Sequence, residues 1–152
     1  MSSAPDYRAT GAAIAALFAG MAAPLAPAGL VAIRSSTATG PNQLAALPCV
    51  VVSPMDGSFR AGGGGRWEGS TWSVAFYLAE RAIADLARDI DALEAWLTKL
   101  VQAVGVAHVQ LGGLVDSCRI ARWTVGGLEY AGLSYSGIAL ELELTNTEPW
   151  ST

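Results

Sequence analysis

Gly62 to Gly65 run directly into Arg66 and Trp67, and a glycine run beside a cation invites a phosphate-cradling reading. Such a loop needs Gly-x-x-x-x-Gly-Lys-Ser/Thr, in which the lysine reaches the phosphates and the hydroxyl holds magnesium. Here Arg66-Trp67 stands where Lys-Ser/Thr should, and the residues that follow read as a strand. A helix N-terminus that could hold an anion is therefore missing from the pattern. Glu141 and Glu143 are the next candidates, two carboxylates on one face of a strand. General acid–base work requires surroundings that drive their pKa values apart, and no neighbouring residue type supplies them. Asp89 and Asp91 lack calcium-loop spacing and read as the wet side of a helix with Glu94 and Lys99. The single His108 cannot build a histidine metal site, and no Gly-x-Ser-x-Gly elbow offers it a serine. Cys49 and Cys118 sit far apart in apolar runs, as buried free thiols do. These residues give no enzyme, no metal and no cofactor.

The elements that carry them follow from periodicity. Ser3 or Asp6 can cap a first helix running to about Ala22, with Ile14, Leu17, Phe18 and Met21 on one stripe and Pro24 ending it. Ala12 to Leu30 imitates a signal peptide, but Pro24 and Pro27 break it too early for a span of about 20 residues, so a packed helix is expected. Leu30 to Ser35 reads as a short strand, followed by a polar loop over Ser36 to Gln43. Leu47 to Val52 is a β-branched strand that Ser53-Pro54 should close. Met55 to Ser70 then reads as a long loop, and Thr71 to Leu78 as a strand with Trp72, Val74, Phe76 and Leu78 on one face. Asp85 can cap a second helix in which Leu86, Ile90, Leu93, Trp96, Leu97, Leu100, Val101 and Val104 recur at helical spacing, with Gly105 its terminator. Val115 to about Val125 reads as a strand, Gly126-Gly127 as a two-residue turn, and Leu128 to Thr145 as its partner, broken near Gly132 to Gly137. In that partner Ile138, Leu140, Leu142 and Leu144 alternate with Ala139, Glu141 and Glu143, which specifies one packed and one wet face. The order α-β-β-β-α-β-β predicts an α+β fold: a mostly antiparallel sheet of about five strands with two helices on one face. A single domain spans residues 1–152, with a polar tail over 146–152.

Composition adds a constraint. The 152 residues are 52% hydrophobic and only 14% charged, against about 25% charged in an ordinary globular domain. So few charges predict that subunit surface is buried in a homo-oligomer. The net charge of −4 argues against a protein that neutralises phosphates.

Five features in order carry a family resemblance. They are a short N-terminal helix before Gly29-Leu30-Val31-Ala32-Ile33; the run from Leu47-Pro48-Cys49 through Ser53-Pro54 into Asp56-Gly57-Ser58-Phe59; Trp72-Ser73-Val74-Ala75-Phe76; the helix Ile90 to Val104; and Leu111-Gly112-Gly113-Leu114-Val115-Asp116 through Tyr130-Ala131-Gly132 to the alternating strand. Read end to end, the chain resembles the tail terminator proteins of long, non-contractile-tailed bacteriophages. The resemblance implies a hexameric ring at the head-proximal end of the tail tube, in the virion neck. Such a ring caps the major tail tube protein, meets the head-completion or stopper protein, and lets DNA through its lumen without specific binding or any membrane.

Two sites follow as expectations. The long loop should engage the tube or the neck protein, with Phe59, Arg66 and Trp67 as contacts, because aromatics on a long loop are plausible partner anchors. Glu141 and Glu143 should face the lumen, where carboxylates would keep DNA sliding. Two other readings stay open: a stopper protein of the same neck, which would carry a plug-like loop, and a cellular α+β ligand-binding domain, which would need a concave polar pocket.

Overall fold

The computed structural model of the protein describes residues 6–21, 35–37, 44, 47–62, 65–106 and 111–146; side chains at 35–37, 61, 62, 65–67, 83, 106 and 112 lie outside that description. Asp6 opens helix α1 (Tyr7–Phe18), its Oδ1 accepting from the backbone N–H of Ala9 at 2.9 Å. That bond satisfies one of the donors a helix N-terminus leaves free. Ile14 and Phe18 are fully buried, with Leu17 and Met21 packed beside them. The helix stops at Phe18, before the expected Ala22, because Gly20 turns the chain at φ 70°. Pro24, residues 30–34 of the strand expected over Leu30 to Ser35, and His108 lie outside the described residues.

A three-residue segment, β1 (Ser35–Thr37), lies parallel to the start of β2 (Cys49–Gly62). Ser35 belongs to the strand expected over Leu30 to Ser35, whereas Ser36 and Thr37 occupy positions expected to be loop. β2 then pairs antiparallel with β3 (Gly65–Glu80), and β4 (Ser117–Tyr130) with β5 (Leu133–Asn146). The antiparallel strands stand in the order β2-β3-β5-β4, with β1 beside β2. Between the two hairpins, a 3-10 stretch (Ile83–Asp89) feeds helix α2 (Ile90–Val106). Asp85 falls inside that stretch rather than at a cap, and Gly105 is still helical. The fold is α+β, with an antiparallel four-strand sheet and two helices.

Alternation sets the two sheet faces. Val50, Val52, Trp72, Val74, Phe76, Ile138, Leu140, Leu142 and Leu144 all point toward the helices and are buried with Leu93, Trp96 and Leu100 of α2. Trp96 stacks on Phe76 with ring centroids 4.8 Å apart. Both cysteines are buried and neither forms a disulfide, and burial pushes the Cys118 thiol up to about 11. On the opposite face, Tyr77 meets Tyr135 and Tyr130 edge-on at 5.4 and 5.6 Å, closing a smaller cluster with Cys49 and Val51.

Two local expectations are corrected. The β4–β5 turn is Ala131-Gly132, both at positive φ (50° and 83°), closed by the pair Tyr130 and Leu133. A two-residue hairpin turn of that hand requires positive φ at both positions. Gly126-Gly127 lies inside β4 instead, where Gly126 faces Gly137 and a Cβ on Gly127 would come 3.0 Å from Leu86 Cδ1. Gly127 lets Leu86 of the 3-10 stretch approach the sheet closely, while β4 extends five residues past Val125 and β5 runs unbroken from Leu133. The second correction concerns Ser53-Pro54, which does not close β2. Pro54 sits opposite Trp72, and a bulge at Met55 absorbs the disruption before pairing resumes at Asp56 and Thr71.

Candidate functional site

The expected Met55–Ser70 loop does not exist. Pairing continues from Asp56 opposite Thr71 to Gly62 opposite Gly65, so these residues form one long β-ribbon. Ser, Gly and Asp hide the strand period in this stretch, and only pairing with the partner reveals it. Rows of paired residues cross the whole sheet from β2 to β4, among them Val52 with Val74, Leu140 and Trp123; Pro54 with Trp72, Leu142 and Ile120; Asp56 with Thr71, Glu143 and Arg119; and Ser58 with Gly69, Thr145 and Ser117. Glu68 is the last β3 residue with a β5 partner, Asn146. Beyond it the ribbon continues as two strands among the described residues.

Of the three expected contacts, Phe59 sits where the ribbon leaves the sheet and is 58% exposed. Arg66 and Trp67 lie further out on β3, opposite Ala61 and Arg60. All three belong to one projecting element, though a ribbon rather than a loop.

At the ribbon's base lies a cleft of about 400 Å³ bounded by Tyr7 of α1, Met55, Phe59, Glu68 and Trp72. Its walls are mostly apolar, and Trp72 is held by a bond from its indole Nε1 to Ser70 Oγ at 3.1 Å. Glu68 is only 5% exposed and accepts a hydrogen bond from the Tyr7 hydroxyl. Burial, then the hydrogen bond and charge of Glu68, push the Tyr7 phenol up to about 12. Tyr7 and Glu68 are 61 residues apart, and no periodicity links them.

Tyr7→Phe removes this donor from a buried carboxylate and is expected to lower stability by about 1 to 3 kcal/mol in urea unfolding. The folded pKa lies above the unfolded value of 10.0, so the stabilisation is complete below pH 10 and lost as pH rises through about 12. In a tyrosinate absorbance titration, the wild type should show one more late-ionising phenol than Tyr7→Phe. Equal numbers of late phenols in the two proteins would contradict the contact.

Glu141 and Glu143 do share the helix-free face, as expected. They are not a bare acidic pair, however: Arg119 Nη2 lies 2.5 Å from Glu143 Oε2, and Arg122 Nε lies 3.8 Å from Glu141 Oε2. Both arginines are more than 70% exposed, so these pairs balance charge while contributing little stability. The sequence reading missed the arginines because they come from the other strand of the hairpin.

Asp89 was expected on the wet side of α2. Its side chain is 11% exposed, and it accepts from Arg81 Nε at 2.9 Å and from the buried Ser136 hydroxyl at 2.7 Å. This carboxylate ties the start of α2 to the ends of β3 and β5. Among the described residues no three His, Cys, Asp or Glu side chains group as a metal site, and no helix is long and apolar enough to cross a membrane. No protein-family model matches the chain, and no curated protein matches it.

Proposed function

We propose that this chain is a tail terminator of a long, non-contractile-tailed bacteriophage. In that reading six copies form a ring at the head-proximal end of the tail tube, cap the last ring of the major tail tube protein, and stop its polymerisation. The other side of the ring receives the head-completion or stopper protein, and the site of action is the tail–neck junction of the virion.

The observation that carries this reading is the ribbon. Helices cover one sheet face, while the β2–β3 ribbon runs past the end of the other strands with Phe59 exposed where it leaves them. A capping subunit needs such an arm to reach the tube, and an exposed aromatic is a suitable anchor. In this reading Phe59, Arg66 and Trp67 are the tube contacts. The helix-free face looks into the lumen, where Glu141 and Glu143 are balanced by Arg122 and Arg119. A charge-balanced lining releases no counterions from DNA and leaves it free to slide. The small charged fraction, 14%, fits a subunit with much surface hidden in a ring.

The test is capping in vitro. Purified, gold-labelled chain added to polymerising tail tube protein should arrest growth and label one end of each tube. Phe59→Ala combined with Trp67→Ala should abolish end labelling. Unarrested growth would refute the terminator reading, whereas capping by the double variant would refute only the ribbon contact.

A further inference from the structure

The three large apolar side chains more than half exposed are Met55, Phe59 and Trp123, at 55%, 58% and 55% among the described residues. Phe59 belongs to the projecting ribbon. Met55 and Trp123 stand at the two opposite edges of the sheet, Met55 in the β2 bulge and Trp123 on β4. Among the described residues, β4 has β5 on one side and no strand on the other. Among the described residues, β1 covers β2 only from Cys49 to Val51, and no strand pairs with the β2 edge from Val52 outward. The two open edges stand at the same height, because the row through Val52 ends at Trp123 and the row through Asp56 ends at Arg119.

Charge and direction agree with this placement. Asp56 lies at the β2 edge and Arg119 and Arg122 at the β4 edge, both arginines outermost in their ion pairs. β2, β3, β5 and β4 alternate in direction, so a neighbour's β2 laid beside β4 continues the antiparallel order. In that position Arg119 of one copy falls beside Asp56 of the next, and Trp123 beside the strand that carries Met55. Pro54 lacks an N–H and the bulge follows it, so backbone pairing starts at Asp56 and indiscriminate edge growth is limited.

We infer that the β2 edge around Met55 and Asp56 and the β4 edge around Arg119 and Trp123 are the two halves of one heterologous interface between copies of this chain. Two different patches that meet head to tail generate a closed ring when the rotation closes. This deepens the ring reading and rests on it. It also divides the molecule's contacts, with β2 up to Ser58 facing a neighbouring subunit and the ribbon from Phe59 outward free for the tube.

The test uses the full chain with Met55→Asp on one edge and Trp123→Asp on the other. Each residue is more than half exposed, so both variants should fold, checked by circular dichroism and unfolding midpoint; Met55→Ser and Trp123→Ser replace any that does not. By sedimentation velocity, the wild type should form a discrete oligomer, and each variant alone a monomer. An equimolar mixture should give a dimer and nothing larger, because only one intact edge of each kind remains. A variant that assembles like the wild type would remove its edge from the interface. A mixture that stays monomeric would show that the two edges do not meet. A wild type that is monomeric at every concentration would overturn the ring and the interface together, whereas rings formed by both variants would leave the ring reading standing and overturn this interface alone.

Discussion

Gly137→Ala is expected to prevent stable folding, with a loss above about 4 kcal/mol, beyond the range of most single substitutions. A Cβ at this position would lie 2.3 Å from the backbone carbonyl oxygen of Phe76 and 2.8 Å from Leu128 Cδ1. The leucine could rotate, but the carbonyl belongs to the core strand β3 and cannot withdraw. Register explains the crowding: pairing between β3 and β5 passes from Tyr77 opposite Gly137 to Ala79 opposite Ser136, so a bulge brings the β3 backbone against this residue. Gly69→Ala is the control, since a Cβ there meets nothing within 4 Å, and it should change stability by less than about 0.5 kcal/mol. Denaturant midpoints of the two variants decide the matter. A wild-type midpoint for Gly137→Ala would mean that β3 and β5 do not approach as described.

Asp89→Ala should cost about 2 to 4 kcal/mol, which is large for a residue at the start of a helix. The substitution leaves the Arg81 guanidinium, bonded at both Nε and Nη2, without its carboxylate. It also deprives Ser136 of its closer acceptor; that hydroxyl is fully buried and keeps only Ala79 O at 3.3 Å. Asp89→Asn should fall between the two, because an amide oxygen can still accept from serine but no longer pairs a full charge with Arg81. The effect should also be local, with amide exchange accelerated first over the 3-10 stretch and the ends of β3 and β5. Ordinary surface behaviour, a change below about 0.5 kcal/mol, would contradict the network.

Much of the architecture was legible because it rests on periodicity. The alternation of Ile138 to Leu144 identified β5 and its buried face, and the recurrence from Leu93 to Val104 identified α2, because in each case the apolar side chains point to a single core. The β2–β3 ribbon was illegible for the converse reason. From Ser53 to Arg60 the strand is exposed on both faces, so no burial pattern marks it and its small and polar residues read as loop. The glycine pair at 126 and 127 misled because flexibility serves a turn and a close approach equally well, whereas Ala131, the turn's first residue, carries no such signal.

The candidate site was legible only residue by residue. Phe59 could be singled out as an exposed aromatic, but its position at the rim of a cleft with Tyr7 and Glu68 depends on a contact across 61 residues. Glu141 and Glu143 could be placed on one face, but the arginines that balance them come from β4 through a register shifted by a bulge between Ile120 and Arg122. Trp123 was not singled out as exposed, since it lies on the same face as buried Leu140 and is open only because β4 is the edge.

The most direct measurement of the proposed role is electron microscopy of a lysate from a phage in which this gene is disrupted. The account predicts overlong tail tubes without heads, because loss of the cap is what lets polymerisation run on. Normal-length tails lying beside filled heads would contradict it in favour of a joining or stopper role, and fully assembled infectious particles would contradict any role in the neck.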